Sequence, residues 1–137
     1  MQADFLDAHR RHLSDAERLF QVQRWANADH LYGIAAECGL KALMEKIKGG
    51  PLEVDDRLHI MEERKPSNAW LKYQSYLAGH LLATKLSLPQ SNPFSDWLVS
   101  QRYAHQSNFD QARVQLHQVA AKKVGTLIRR ASKEGLL

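Results

Sequence analysis

Residues 28–47 read ADHLYGIAAECGLKALMEKI. Ala28, Leu31, Tyr32, Ala35, Ala42, Leu43 and Ile47 fall at helical spacing and form one apolar stripe. Gly33, Ala36 and Gly39 are small residues inside the same stretch. A glycine in a helix interior costs about 1 kcal/mol relative to alanine, so these positions are expected where another helix must approach closely. The pattern predicts a helix over 26–48. KGGP at 48–51 ends it, because glycine suits a left-handed cap and proline cannot continue the helix.

Three more helices are predicted around this one. The first covers residues 3–23, with Phe5, His9, His12, Leu13, Ala16, Leu19 and Phe20 at three- and four-residue steps and charges between them. Residues 51–66 are polar apart from Leu58, Ile60 and Met61, and are expected to form a loop with one helical turn. The third helix is expected to start near Ser67 as its N-cap and to align Trp70, Tyr73, Leu77, Leu81 and Thr84, with Leu71 beside them. SLPQSNPFSD at 87–96 is a break. The fourth helix is expected over 108–133, capped by Ser107 or Asn108, with Asp110 at the positive end of its dipole. Its stripe is read as Phe109, Ala112, Leu116, Val119, Ala120, Val124, Leu127 and Ile128. Lys122, Lys123, Arg129, Arg130 and Lys133 lie towards its C-terminus, where the dipole favours cations. With no strand signal, repeat or linker, the expected fold is all-α: a single domain over 1–137, an up-and-down bundle of four long helices with an extra short helix.

Composition sets wider bounds. The 137 residues are 44% apolar and 25% charged, ordinary for a globular domain large enough to bury one core. The charged start resembles no signal peptide, and no run approaches the roughly 20 apolar residues of a membrane span. Cys38 is the only cysteine and is read as a small core residue. No association with a membrane is expected, and a cytoplasmic location is. His59, His80 and His117 occur singly and fit no metal-ligand spacing, so neither a metal nor a cofactor is expected. Trp25, Trp70 and Trp97 are read as core anchors. A net charge of +4 permits RNA or nucleotide phosphates as ligands without requiring them.

The second helix also resembles that of HEPN domains (higher eukaryotes and prokaryotes nucleotide-binding). The resemblance rests on Tyr32, Ala35, Ala36 and Glu37, followed by Leu40, Lys41, Ala42 and Leu43, and on the order of helices. It implies a helical bundle, a homodimer, and in many members a nucleotidyltransferase partner in a toxin–antitoxin-type pair. It also implies, in some members, a metal-independent ribonuclease whose arginine and histidine meet their counterparts across the dimer. Here Arg102 and His105 have only Tyr103 and Ala104 between them, a shorter spacing than that ribonuclease pattern. It looks more like the Arg-Tyr variant of the family. Arg24 and His30 have a longer spacing, but they lie at the start of the second helix and are taken as coincidental.

Chemistry singles out the same segment. Arginine holds phosphate through paired donors, and histidine can carry a proton near neutrality. A helix starting at Ser107 or Asn108 would add free N–H groups, and Tyr103 could stack a base or ribose. The candidate ligand-binding residues are therefore Glu37, Arg102, Tyr103, His105 and Asn108, with Arg102 and His105 catalytic only if the chain is a ribonuclease. The structural alternative pairs Arg102 with Glu37 or Asp96, buries Tyr103 and Trp97, and has His105 cap or contact the last helix. Three functions remain open on the sequence. One is a nucleotide- or RNA-binding accessory domain, and another a ribonuclease acting across a homodimer cleft. The third is a non-catalytic interaction protein docking through Gly33, Ala36 and Gly39.

Overall fold

The second helix is the axis of the molecule. A computed structural model describes all 137 residues, and every residue from Ala35 to Met44 is buried in it. The helices are α1 (Phe5–Gln21), α2 (Trp25–Lys48), α3 (Ala69–Leu77) and α4 (Gln111–Lys133), and no strand is present. α2 packs against each of the other three. A helix buried on all sides must be small or apolar over most of its surface, which is why this stretch is rich in Ala, Gly and Leu. None of the helices is long and apolar enough to cross a membrane.

Three residues, Val22 to Arg24, separate α1 from α2, so the two helices must run antiparallel. Contacts from His9 to Ala35 and from Glu17 to Tyr32 follow that sense. α4 pairs His117 with Asp29 and brings Val124 to Gly39, so it runs parallel to α2, in the expected up-and-down order. Asp4 caps α1 by accepting the Asp7 N–H at 2.9 Å, and Gly49, at φ 83°, ends α2 as predicted.

The bundle has three long helices and one short one, where four long helices were expected. α3 is capped by Asn68, not Ser67, and stops at Leu77. Ala78 leaves the helical region with ψ 125° and Gly79 takes φ 77°, so the chain turns. Leu81 consequently points away from the core at 94% exposure, and Leu86 is the buried residue that follows, its carbonyl accepting the Tyr73 hydroxyl at 2.6 Å. The helical turn expected within 51–66 is a short 3₁₀ turn at Val54–Asp56.

α4 also differs from its expected form. It starts at Gln111 and is capped by Asp110, whose side chain accepts the Arg113 N–H at 2.9 Å. Ser107 and Asn108 belong instead to a separate 3₁₀ turn. The buried face is Val114, His117, Ala120, Ala121, Val124, Leu127, Ile128 and Ala131. Leu116 and Val119, expected inside, are 69% and 62% exposed. A hydrogen bond from His117 to Asp29 sets the rotation of α4 about its axis, and that rotation turns the 116/119 side outward.

The small residues of α2 are filled from within the chain. Gly33 accommodates the indole of Trp97, with a Cβ there falling 2.0 Å from Cε2. Gly39 accommodates His9 and Val124. The face of Gly33, Ala36 and Gly39 is therefore a core seam and not a docking surface for another protein. Cys38 is buried as expected, and burial, reinforced by Glu37, pushes its thiol up to about 12.

Replacing Gly33 by alanine should destabilise the protein by about 1–3 kcal/mol in a urea titration, despite alanine's better helix propensity, because the indole has no room to retreat. A neutral or stabilising result would mean that Trp97 is not seated there.

Candidate functional site

The start of α2 is an exposed positive end. Arg24 occupies its N-cap position, no side chain caps it, and its first turn carries no acidic residue. The N–H groups of Trp25, Ala26 and Asn27 have no partner within the chain. Across from them runs the 3₁₀ segment Val99–Tyr103 and the turn after it. Between the two lies an open hollow of about 480 Å³, walled by residues 23–27 on one side and by 101, 102 and 104–107 on the other. No carboxylate lines it. Gln23, at φ 63°, is the one non-glycine residue with positive φ and sits on its rim.

Two of the five sequence-predicted residues, Arg102 and His105, meet in this hollow. Arg102 donates from Nη1 to the Val99 carbonyl at 3.0 Å, and its guanidinium lies over the Tyr103 ring, 4.7 Å from the centroid. It pairs with neither Glu37 nor Asp96. His105 accepts the Ser107 N–H at Nδ1, 3.1 Å away. Its proton therefore sits on Nε2, which is left to donate. Tyr103, at 79% exposed, is not a core residue and does not line the hollow, whereas Trp97 is fully buried as expected. Asn108 turns its amide back to the His105 carbonyl at 2.9 Å.

Glu37 belongs to a different part of the molecule. Its Oε1 accepts from Lys41 at 2.7 Å, and its Oε2 accepts from His59 at 3.1 Å and from the Ile60 N–H at 3.2 Å. Burial opposes its ionisation, but the hydrogen bonds and charges of His59 and Lys41 prevail and hold the carboxyl below its ordinary range. Its role is to fasten the 59–60 loop onto α2.

The side chain that positions the hollow is Asp29, which the sequence reading did not single out. It is fully buried. One oxygen accepts from His117 Nδ1 at 2.5 Å and the other from Gln101 Nε2 at 2.6 Å, while its backbone carbonyl accepts the Trp97 indole N–H at 3.0 Å. Gln101 Oε1 in turn accepts the Leu98 N–H at 3.2 Å. The segment that carries Arg102 is thus bolted to the first turns of α2. His117 reaches Asp96 with Nε2 at 2.8 Å, and Asp96 pairs with Arg113 at 3.3 Å. Burial alone would lower the pKa of His117, but Asp29 and then Asp96 more than compensate and raise it. No cluster of three or more His, Cys, Asp or Glu side chains is arranged as metal ligands.

Arg24, set aside with His30 as coincidental, lies in the hollow, while His30 stacks on Trp97 with ring centroids 5.9 Å apart. The signal for Arg24 was present in RWANADH, where no Ser, Thr, Asp or Asn holds the cap position ahead of the helix.

The raised pKa means that folded His117 holds its proton more tightly than the unfolded chain does. The stabilisation is complete below about pH 6.5, the unfolded value, and drains away as pH rises through the raised value. Exchanging His117 for glutamine should cost on the order of 3 kcal/mol at pH 6 and less at pH 9, measured as the wild-type minus variant difference in denaturant melts. A gap that is constant or widens with pH would contradict a charged His117. In comparisons with protein-family models, curated proteins and solved structures, nothing matches this chain.

Proposed function

We propose that this chain is a nucleotide- or RNA-binding domain of HEPN-like type that takes phosphate in the hollow between the start of α2 and Arg102. The observation that carries this reading is the convergence of Arg24, Arg102 and His105 on three unpartnered backbone N–H groups, with no carboxylate among the lining residues. Backbone N–H groups at the positive end of a helix favour an anion, and arginine adds paired charge-assisted donors. His105 contributes a third kind of donor through its Nε2–H. The exposed Tyr103 ring, backed by the Arg102 guanidinium, offers a stacking surface for a base next to the hollow.

The resemblance of α2 to HEPN domains supports the same reading. With it come a homodimer, a nucleotidyltransferase partner in a toxin–antitoxin-type pair, and a cytoplasmic setting in which the lone thiol stays reduced. Binding suits the geometry better than cleavage. A base at position 105 would need a bare ring nitrogen facing the ligand, and the bare one, Nδ1, is engaged with Ser107.

The test is fluorescence anisotropy with a labelled single-stranded RNA in metal-free buffer. The wild type should bind in a salt-sensitive manner and leave the RNA intact. Arg24→Ala and Arg102→Ala should each weaken binding about tenfold at low salt. Binding that survives both substitutions, or RNA cleaved by the wild type and spared by His105→Ala, would overturn the reading.

A further inference from the structure

A second groove lies on another part of the bundle, between α1 and α4, and it shares no residue with the hollow at α2. Its volume is about 510 Å³, within the range of small-molecule sites. At its floor is His9, only 2% exposed. Nδ1 of His9 lies 2.8 Å from the Ala35 carbonyl. A carbonyl oxygen can only accept, so Nδ1 carries the hydrogen and Nε2 is a bare lone pair. Nε2 makes no hydrogen bond within the chain. Burial, assisted by the charges of Arg10 and Arg129, lowers the pKa of His9 and keeps the ring a neutral acceptor.

The interior of α4 is notched at Gly125. The point where a Cβ would stand is 3.7 Å from His9 Nε2, 3.8 Å from Arg129 Nη1 and 3.2 Å from a Leu13 methyl. The lone pair and the guanidinium therefore converge on one small space. Arg10, Arg129 and Lys133 edge the groove, and none of the three pairs with a carboxylate. The one acid on the wall, Glu17, is occupied by the Tyr32 hydroxyl at 2.7 Å, Gln118 at 3.1 Å and Lys122 at 3.7 Å. A buried acceptor beside three free cations asks for a ligand with both a hydrogen to donate and a negative charge.

We propose that this groove binds a hydroxyl-bearing organic phosphate, its hydroxyl donating to His9 Nε2 in the Gly125 notch and its phosphate held by Arg129, Arg10 and Lys133. Inorganic phosphate has the charge and an acidic O–H, but no separate hydroxyl to enter the notch while its oxygens meet the cations at the groove's edge, and a bare sugar has the hydrogen but no charge. Each alone is therefore a poor ligand. The proposal stands apart from the nucleotide reading and survives its failure.

Isothermal calorimetry with ribose 5-phosphate, ribose and inorganic phosphate tests it. The wild type should bind ribose 5-phosphate at least tenfold more tightly than inorganic phosphate, and ribose not measurably. Gly125→Ala fills the notch while favouring the helix, so it should fold normally yet lose at least tenfold in affinity. Arg129→Gln should lose as much with an unchanged melting temperature, and Arg102→Ala should bind as the wild type does. No saturable binding of ribose 5-phosphate, unchanged affinity in Gly125→Ala or Arg129→Gln, or a loss confined to Arg102→Ala would each overturn the proposal.

Discussion

The Asp29 carboxylate, sealed inside the bundle, is the constraint on which the rest depends. A carboxyl group there is tolerable only if both oxygens are satisfied, and they are, by His117 from α4 and Gln101 from the 3₁₀ segment. The same residue's carbonyl takes the Trp97 indole N–H. One position on α2 thereby fixes the rotation of α4, the seating of Trp97 in the Gly33 notch, and the height at which Arg102 stands over the start of α2. Losing any of these partners would leave an uncompensated charge or donor in the core, which is far more costly than the loss of a surface contact.

α2 solves the same problem a second time, two turns further along. Glu37 and Lys41 are both buried and form an i,i+4 pair, with His59 and the Ile60 N–H completing the shell. Burial on every side leaves the charged residues Asp29, Glu37 and Lys41 of this helix paired inside the chain. Four of the fifteen acids are spent in this way: Asp29 and Glu37 face inward, and Asp96 and Glu17 are committed to neighbours. Several arginines and lysines are left facing solvent without partners. That imbalance gives a chain of only mild positive charge two grooves edged by free cations, one at the start of α2 and one between α1 and α4.

The two helix starts show how a cap decides where an anion can settle. α4 is capped by Asp110, whose carboxylate takes the Arg113 N–H and sets a negative charge at that end, and His105 and Asn108 close the turn before it. α2 begins with Arg24 after a tight turn through Gln23, and nothing caps it. The uncapped N–H groups therefore lie at the start of α2 and not before the last helix, where they were expected, because RWANADH places no capping side chain ahead of its helix.

The sequence by itself determined the all-α class, the limits of α2 and its buried, small-residue character, because helical periodicity and caps are local properties of the chain. It also brought forward Arg102 and His105, which the fold sets in one hollow. The periodicity of α4 held a further clue: Val114, His117, Ala121, Val124 and Ile128 form a consistent face that places a histidine inside, where it needs a partner. Only the tertiary structure decided that the partner is Asp29, that Leu116 and Val119 turn outward, that α3 ends at Leu77, and that Glu37 serves the 59–60 loop instead of the hollow. Each of these depends on which residues distant in the chain come within hydrogen-bonding reach. That is set by how helices rotate and dock, and no local pattern encodes it.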